Sequence, residues 1–238
     1  MTTAAILTAA GSGSRLGHAL PKALVPVRGE PVVAHAARRL LAARPGGEPL
    51  AALIVSAPVD QVEAFRALLG PDVVVVPGGP TRQASVAAAL GALPDDGIDV
   101  VLVHDAARPF APADLVERVA AAVRAGHDAV VPGLAVTDTI KRVGAGDDGW
   151  PVEATVDRAA LRAVQTPQGF SRATLERAHA AAAQDAGDES VAASDDAGLV
   201  ERLGLPVWVV PGDERAAKIT TPRDLAVAEL LATKTKDL

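Results

Sequence analysis

One repeating arrangement dominates the chain: short apolar, β-branched runs separated by Ala-, Leu- and Arg-rich stretches with helical spacing. Strand-like runs occupy residues 4–9, 53–57, 73–76, 99–104 and 129–131, and helical patterns fill residues 31–43, 59–69, 82–93 and 112–125 between them. The strand runs are continuously apolar rather than alternating, the pattern of strands buried on both faces. Strand–helix–strand repetition at this spacing predicts an α/β fold, a mostly parallel sheet covered by helices. Pro31 and Pro112 fall where a first helical turn tolerates proline.

The rhythm changes after Pro132. Residues 135–143 and 150–156 read as two strands pairing around the turn-rich "GAGDDG" at 144–149. Helices return at 172–184, 194–203 and 222–233, with a strand at 206–210. A ribbon projecting from a compact body exposes its edges, and a partner subunit is the simplest cover for them.

Composition narrows the function classes. The 238 residues suit one large α/β domain or two small ones, with ample material for a core. Aromatic residues make up only 2% and Tyr is absent, which leaves no platform for stacking single-stranded nucleic acid. A net charge of −6 argues against a broad polyanion-binding surface, though not against a small basic pocket. The absence of Cys excludes disulfides, thiolate metal sites and cysteine nucleophiles. Arg15, the first basic residue, follows the apolar stretch, unlike a secretory leader. No apolar run reaches the roughly 20 residues of a membrane helix. The expectation is a soluble cytoplasmic protein that binds neither nucleic acid nor membrane.

A glycine-rich loop, "AAGSGSRLGHALPKAL" at residues 9–24, follows the first strand run. It fails the dinucleotide fingerprint G-x-G-x-x-G, because Leu16 stands where the third glycine belongs and no acid ends the second strand at Ser56-Ala57. It also fails the P-loop pattern, since His18 follows Gly17 where Lys is needed. A glycine loop with two cations remains. Gly11 and Gly13 let backbone N–H groups approach phosphate oxygens. Arg15 and Lys22 could neutralise a triphosphate and charge developing on a phosphorus under attack. From the loop alone, a surface turn with two solvated cations explains the residues equally well.

Further constellations follow the other strands. "VLVHDAARP" at 101–109 runs apolar residues into His104-Asp105, at a strand's carboxyl end where α/β sheets bind ligands. Asp105 there suits a hard ligand for Mg²⁺, with Arg108 on a second phosphate. The alternative is a capping Asp paired with Arg108. His104 reads as a structural hydrogen-bonding group, because phosphate oxygens need no base. "PGGPTRQAS" at 77–85 offers Gly78, Gly79 and Ser85 to a base or ribose, or simply connects a strand to a helix. "TDTIKRV" at 137–143 alternates Thr137, Thr139 and Lys141 on one ribbon face. "TVDR" ends the second ribbon strand, "QTPQGF" at 165–170 reads as a polar turn, and Thr221 reads as the N-cap of the last helix. Trp150 and Trp208 read as packing anchors.

In this order, these stretches together with "KITTPRDL" resemble the 2-C-methyl-D-erythritol 4-phosphate cytidylyltransferase family over nearly the whole chain. Each segment alone is weak to moderate, and their ordered set is specific. The resemblance implies a Rossmann-like three-layer nucleotidyltransferase core, one domain over residues 1–238 with a β-arm insertion at about 135–160, and a homodimer whose arms interlock. It implies CTP and a polyol phosphate as substrates, pyrophosphate as by-product, and Mg²⁺ as cofactor. Arg15 and Lys22 match the family's transition-state-stabilising pair, and Arg158 and Lys218 match residues that position the substrate phosphate. Asp105, Ala106, Arg108, Thr139 and Thr166 match substrate-site positions, some reaching across the dimer, with Asp105 toward the metal. Ala9, Ala10, Gly11, Gly13, Gly78, Gly79 and Ser85 belong to the stretches matching the CTP-binding loops. The chain departs from the family pattern at Thr8, often Pro, and at Pro80 or Thr81, where an acid is common. A ribitol-5-phosphate cytidylyltransferase shares the core and many motifs, and only residues 137–170 favour the methylerythritol substrate. The missing ribose acid disfavours an oxidoreductase. The joint presence of Arg15, Lys22, Asp105 and Lys218 disfavours a binding module without catalysis.

Overall fold

The apolar runs build the middle of a sheet, as double-sided burial requires. A computed structural model describes residues 1–11, 20–95 and 97–234. Its elements run β1 (Thr3–Thr8), β2 (Pro26–Val27), β3 (Glu30–Pro31), α1 (Val32–Ala42), β4 (Ala52–Ala57), α2 (Val62–Leu69), β5 (Val74–Pro77), α3 (Arg82–Leu90), β6 (Val100–Asp105) and α4 (Ala113–Arg124). After these come β7 (Ala129–Ala135), β8 (Ile140–Val143), β9 (Val152–Val156), β10 (Arg162–Val164), β11 (Gln168–Ser171), α5 (Arg172–Ala181), α6 (Asp196–Arg202), β12 (Trp208–Pro211) and α7 (Pro222–Lys234).

Eight strands form the main sheet in the order β10-β7-β11-β6-β1-β4-β5, with β12 also paired to β7. Pairings β5–β4, β4–β1, β1–β6 and β7–β12 are parallel, whereas β10 and β11 run antiparallel to β7. Side chains alternate through β1 and divide the core into two layers. Ala5 and Leu7 pack with Val33, Leu40, Phe65, Val116 and Val119 of α1, α2 and α4. Ala4 and Ile6 pack with Val86, Leu90, Leu175, Leu199 and Val200 of α3, α5 and α6. Each such fully buried Leu, Ile, Val or Phe contributes about 1.5–3 kcal/mol of transfer free energy. The result is the helix-covered, mostly parallel sheet predicted from the run pattern, in the three layers that the resemblance implies. Register places Thr8 opposite both Ser56 and Asp105, so the carboxyl ends of β4, β1 and β6 finish side by side. None of the described helices is long and apolar enough to cross a membrane.

The structure corrects several local readings. Pro31 and Pro112 stand at the N-caps of α1 and α4, one residue before the helix. "QTPQGF" is not a polar turn: Gln168–Ser171 form β11 between β6 and β7, with Phe170 fully buried. Its polar residues mislead because distant groups satisfy them. Gln168 donates to Asp195 Oδ2 (2.7 Å), and Gln165 exchanges two bonds with the Asp213 backbone (2.9 Å each). The ribbon is shorter than predicted. Residue 135 ends β7, and β8–β9 form a separate two-stranded sheet from Ile140. Thr137 and Thr139 therefore precede the strand, and strand alternation does not apply to them. Trp150 is 76% exposed and lies outside the core, while Trp208, also exposed, stacks on His127 at 4.4 Å. The expected N-cap at Thr221 holds, with Asp224 N donating to its hydroxyl.

Candidate active site

A pocket of about 400 Å³ opens over the carboxyl ends of β1 and β6. Strand ends supply its floor. Thr8, Ala9, Ala10 and Gly11 leave β1, and Asp105, Ala106 and Ala107 leave β6. Gly79 to Arg82 and Ser85 form one wall, Lys22 and Lys218 bring cations, and Glu189 sits at the edge.

The Gly78–Ser85 wall is rigid for local reasons. Thr81 caps α3, its hydroxyl accepting from Ala84 N at 3.0 Å. Ser85 Oγ accepts from Gly79 N at 3.1 Å and donates to Thr81 O at 2.8 Å, so this hydroxyl ties the loop to itself. Gly78 N donates to Ala57 O, and Ala9 N to Ser56 O, which locks both loops to β4. Gly78 packs so tightly on Ala10 that a β-carbon there would lie 2.4 Å from the Ala10 methyl.

Asp105 is the electrostatic centre. Its Oδ1 accepts from Arg82 Nε at 3.2 Å and from Thr8 Oγ1 at 3.3 Å, and its Oδ2 pairs with Lys218 Nζ at 2.7 Å. Burial alone would raise its pKa, but Arg82, Lys218 and Arg108 outweigh burial and hold the carboxyl well below the usual range. Asp105 is therefore anionic throughout the neutral range. The sequence alternative of a capping Asp paired with Arg108 does not hold, since α4 begins after Pro112 and Arg108 hydrogen-bonds Ala216 O (2.7 Å) and Val164 O (3.3 Å).

His104 is structural, as expected. It is fully buried, its Nε2 lies 3.1 Å from Arg108 O, and its Nδ1 lies 3.0 Å from Thr166 Oγ1. A carbonyl can only accept, so Nε2 carries the proton and Nδ1 accepts from the Thr166 hydroxyl. Thr166 Oγ1 in turn accepts from Asp105 N at 3.0 Å. Burial pushes the imidazole pKa down to about 4.

The structure thus gathers Ala9, Ala10, Gly11, Lys22, Gly79, Ser85, Asp105, Ala106 and Lys218 around one pocket, with Gly78 packed behind. Thr166 and Arg108 lie outside the lining and brace Asp105 and its loop. Thr139 and Arg158 sit at the base of the β8–β9 arm, exposed and outside the lining, where Arg158 donates to Thr137 O. Gly13 and Arg15 lie outside the described residues. Sequence reasoning missed Arg82, which is held between Asp105 and Asp196, and it missed Glu189. Nothing near Arg82 flags it, because its two partners are 23 and 114 residues away.

A glycine-walled, cation-lined pocket at parallel strand ends fits a nucleoside triphosphate. Comparison with known proteins gives the class. The family profile described as IspD, 2-C-methyl-D-erythritol 4-phosphate cytidylyltransferase, matches residues 3–234. The chain belongs to this family. A relative of that name from Nocardia farcinica is 51% identical over 229 residues, covering 95% of this chain and 92% of its own. One from Streptomyces coelicolor is 48% identical over 237 residues, covering 95% and 83%. The crystal structure of the Thermus thermophilus enzyme superposes with a TM-score of 0.78 at 37% identity, covering 98% of this chain and all of that one. Family membership makes the chain a nucleotidyltransferase and removes the oxidoreductase and non-catalytic alternatives.

Proposed function

We infer that this pocket carries out the family's reaction. The chain converts CTP and 2-C-methyl-D-erythritol 4-phosphate to 4-diphosphocytidyl-2-C-methyl-D-erythritol and pyrophosphate. The observation that carries the reading is Asp105, at the end of β6, paired with Lys218 in a pocket that Lys22 and the loop after β1 also line. A substrate phosphate oxygen attacks the α-phosphorus in line with the leaving pyrophosphate. That oxygen is already ionised, so no general base is needed, which agrees with a buried, neutral His104. Bringing two polyanions together is the main electrostatic obstacle. Arg15, Lys22 and Lys218 offset it, and catalysis is positioning plus charge stabilisation. Ala9 to Gly11, Gly13, Gly78, Gly79 and Ser85 are assigned to the nucleotide. Asp105, Ala106, Arg108 and Thr166 are assigned to the polyol phosphate side.

Among the described residues no three acidic or histidine side chains cluster as a metal cage. Asp105 is ionised and lines the pocket, and its Oδ2, paired with the partly exposed Lys218, is the oxygen that would take a Mg²⁺ shared with nucleotide phosphates once Lys218 turns to a phosphate. When bound there, the ion would neutralise phosphate charge and act as a Lewis acid. Thr139 and Arg158 are assigned to the pocket of a second copy, because they stand exposed at the base of the β8–β9 arm. The exposed apolar side chains of Val143, Trp150 and Val152 support a homodimer formed through the arm.

A pyrophosphate-release assay with CTP and each polyol phosphate tests the reading. Release is expected with the methylerythritol phosphate, and Arg15→Ala or Lys22→Ala should lower kcat by orders of magnitude. Release with ribitol phosphate alone would overturn the substrate. Near-normal kcat in both variants would overturn their roles.

A further inference from the structure

Two cations bond Asp105 directly, and they are held very differently. Lys218 is 40% exposed, and its ammonium is a single point contact on Oδ2. Arg82 is anchored from behind. Its Nε bonds Asp105 Oδ1, while its Nη1 bonds Asp196 Oδ2 at 2.7 Å. Asp196 is buried at the start of α6, and its other oxygen lies 2.9 Å from His179 Nε2 of α5. The end of α6 is itself fixed: Asp195 caps it through Gly198 N, and Gln168 of β11 bonds both Asp195 and Ala197 N. One guanidinium therefore links the carboxylate at the pocket to a braced pair between two helices. Its Nη2 is buried and makes no hydrogen bond among the described residues.

We propose that Arg82 is a positioning residue for nucleotidyl transfer, pinned by the buried Asp196–His179 pair, and that it keeps Asp105 fixed and neutralised while Lys218 leaves for an incoming phosphate. The proposal rests on the assignment of Lys218 to that phosphate. An unanchored Arg side chain has several rotatable bonds and would follow Lys218 toward the new anion. A fork tied at its far end to Asp196 cannot. Asp105 then keeps one permanent counter-ion through the reaction, and its orientation is set before substrate arrives. Packing of α5 and α6, neither of which lines the pocket, thereby reaches the reacting groups.

The full-length enzyme tests this through Asp196→Asn, which keeps side-chain shape but removes the anionic anchor. Asp196 does not line the pocket. We expect kcat to fall on the order of 10–100-fold, as for loss of outer partners that orient a site, with a much smaller change in KM for CTP. Arg82→Met should fall at least as far, and the double variant should be no worse than Arg82→Met, because the pair acts as one unit. Arg82→Lys, which cannot bridge two carboxylates, replaces Arg82→Met if the latter does not fold. A purely structural role would lower the melting temperature while leaving kcat per folded enzyme unchanged. That result, measured well below the melting temperature, or additive losses in the double variant, overturns the proposal. A wild-type chain that releases no pyrophosphate overturns the reaction reading and this proposal with it. An active wild type beside an unimpaired Asp196→Asn overturns this proposal alone.

Discussion

Gly78→Ala probes how closely the two nucleotide loops must meet. Gly78 is not in the left-handed backbone region, so alanine is opposed by space alone. The added β-carbon would lie 2.4 Å from Ala10 Cβ, 3.0 Å from Ser85 Oγ and 3.3 Å from Ala57 O. Carbon atoms in contact sit at about 3.5–4.0 Å, so Ala10 or Gly78 must retreat by about 1 Å. Neither can do so freely, because Gly78 N and Ala9 N are bonded to the two last residues of β4. Overpacking of this kind costs about 1–3 kcal/mol, and in a chain of this size that lowers Tm by about 2–12 °C. The displaced loops line the pocket, and a misplacement of about 1 Å can reduce turnover on the order of 100-fold. Thermal melts and pyrophosphate-release kinetics would show both losses. Ala10→Gly on the same chain deletes the clashing methyl and leaves only the milder contacts. The double variant should therefore recover most of the lost stability and kcat/KM relative to Ala10→Gly alone. Unchanged kinetics in Gly78→Ala, or a double variant as impaired as the single, would refute the packing argument.

Two further outcomes are expected. His104 has its pKa depressed from 6.5 to about 4, so the unfolded chain binds its proton first as pH falls. Its contribution is complete above about pH 6.5 and is lost toward pH 4, amounting to about 3 kcal/mol. Denaturant titrations at pH 7 and pH 4.5 should show that loss, and His104→Gln should reduce the slope; an identical slope would remove His104 as its source. The arm assignment predicts a dimer in sedimentation equilibrium, and inactive Arg158→Ala mixed with inactive Lys22→Ala should regain activity by pairing complementary sites. A monomeric active enzyme, or no complementation, would place Arg158 elsewhere.

What was legible in the sequence follows from how each element is stabilised. β1, β4 and β6 are buried on both faces, and that demand is written locally as uninterrupted Ala, Ile, Leu and Val. The loops after β1, β5 and β6 were readable as candidate pocket loops because parallel strand ends carry them, and glycine, Lys22 and Asp105 stand out against an apolar run. β11 was not readable. Gln165, Thr166 and Gln168 are polar yet buried, and their compatibility with the core comes from Asp213, His104 and Asp195, residues 48, 62 and 27 positions away. Periodicity cannot report a hydrogen bond made at that separation, so polar letters were read as surface. Arg82 failed to register for the same reason: one cation at the start of a helix is unremarkable until Asp105 and Asp196 arrive from two other elements. Thr166 shows how far this extends. Its hydroxyl simultaneously accepts from the Asp105 backbone and satisfies His104, while burial keeps that imidazole neutral beside a site crowded with charge. A neutral His104 leaves the positive charge near Asp105 to groups that can reach phosphate or hold the carboxylate, and only the folded pairing of residues distant in sequence reveals that division.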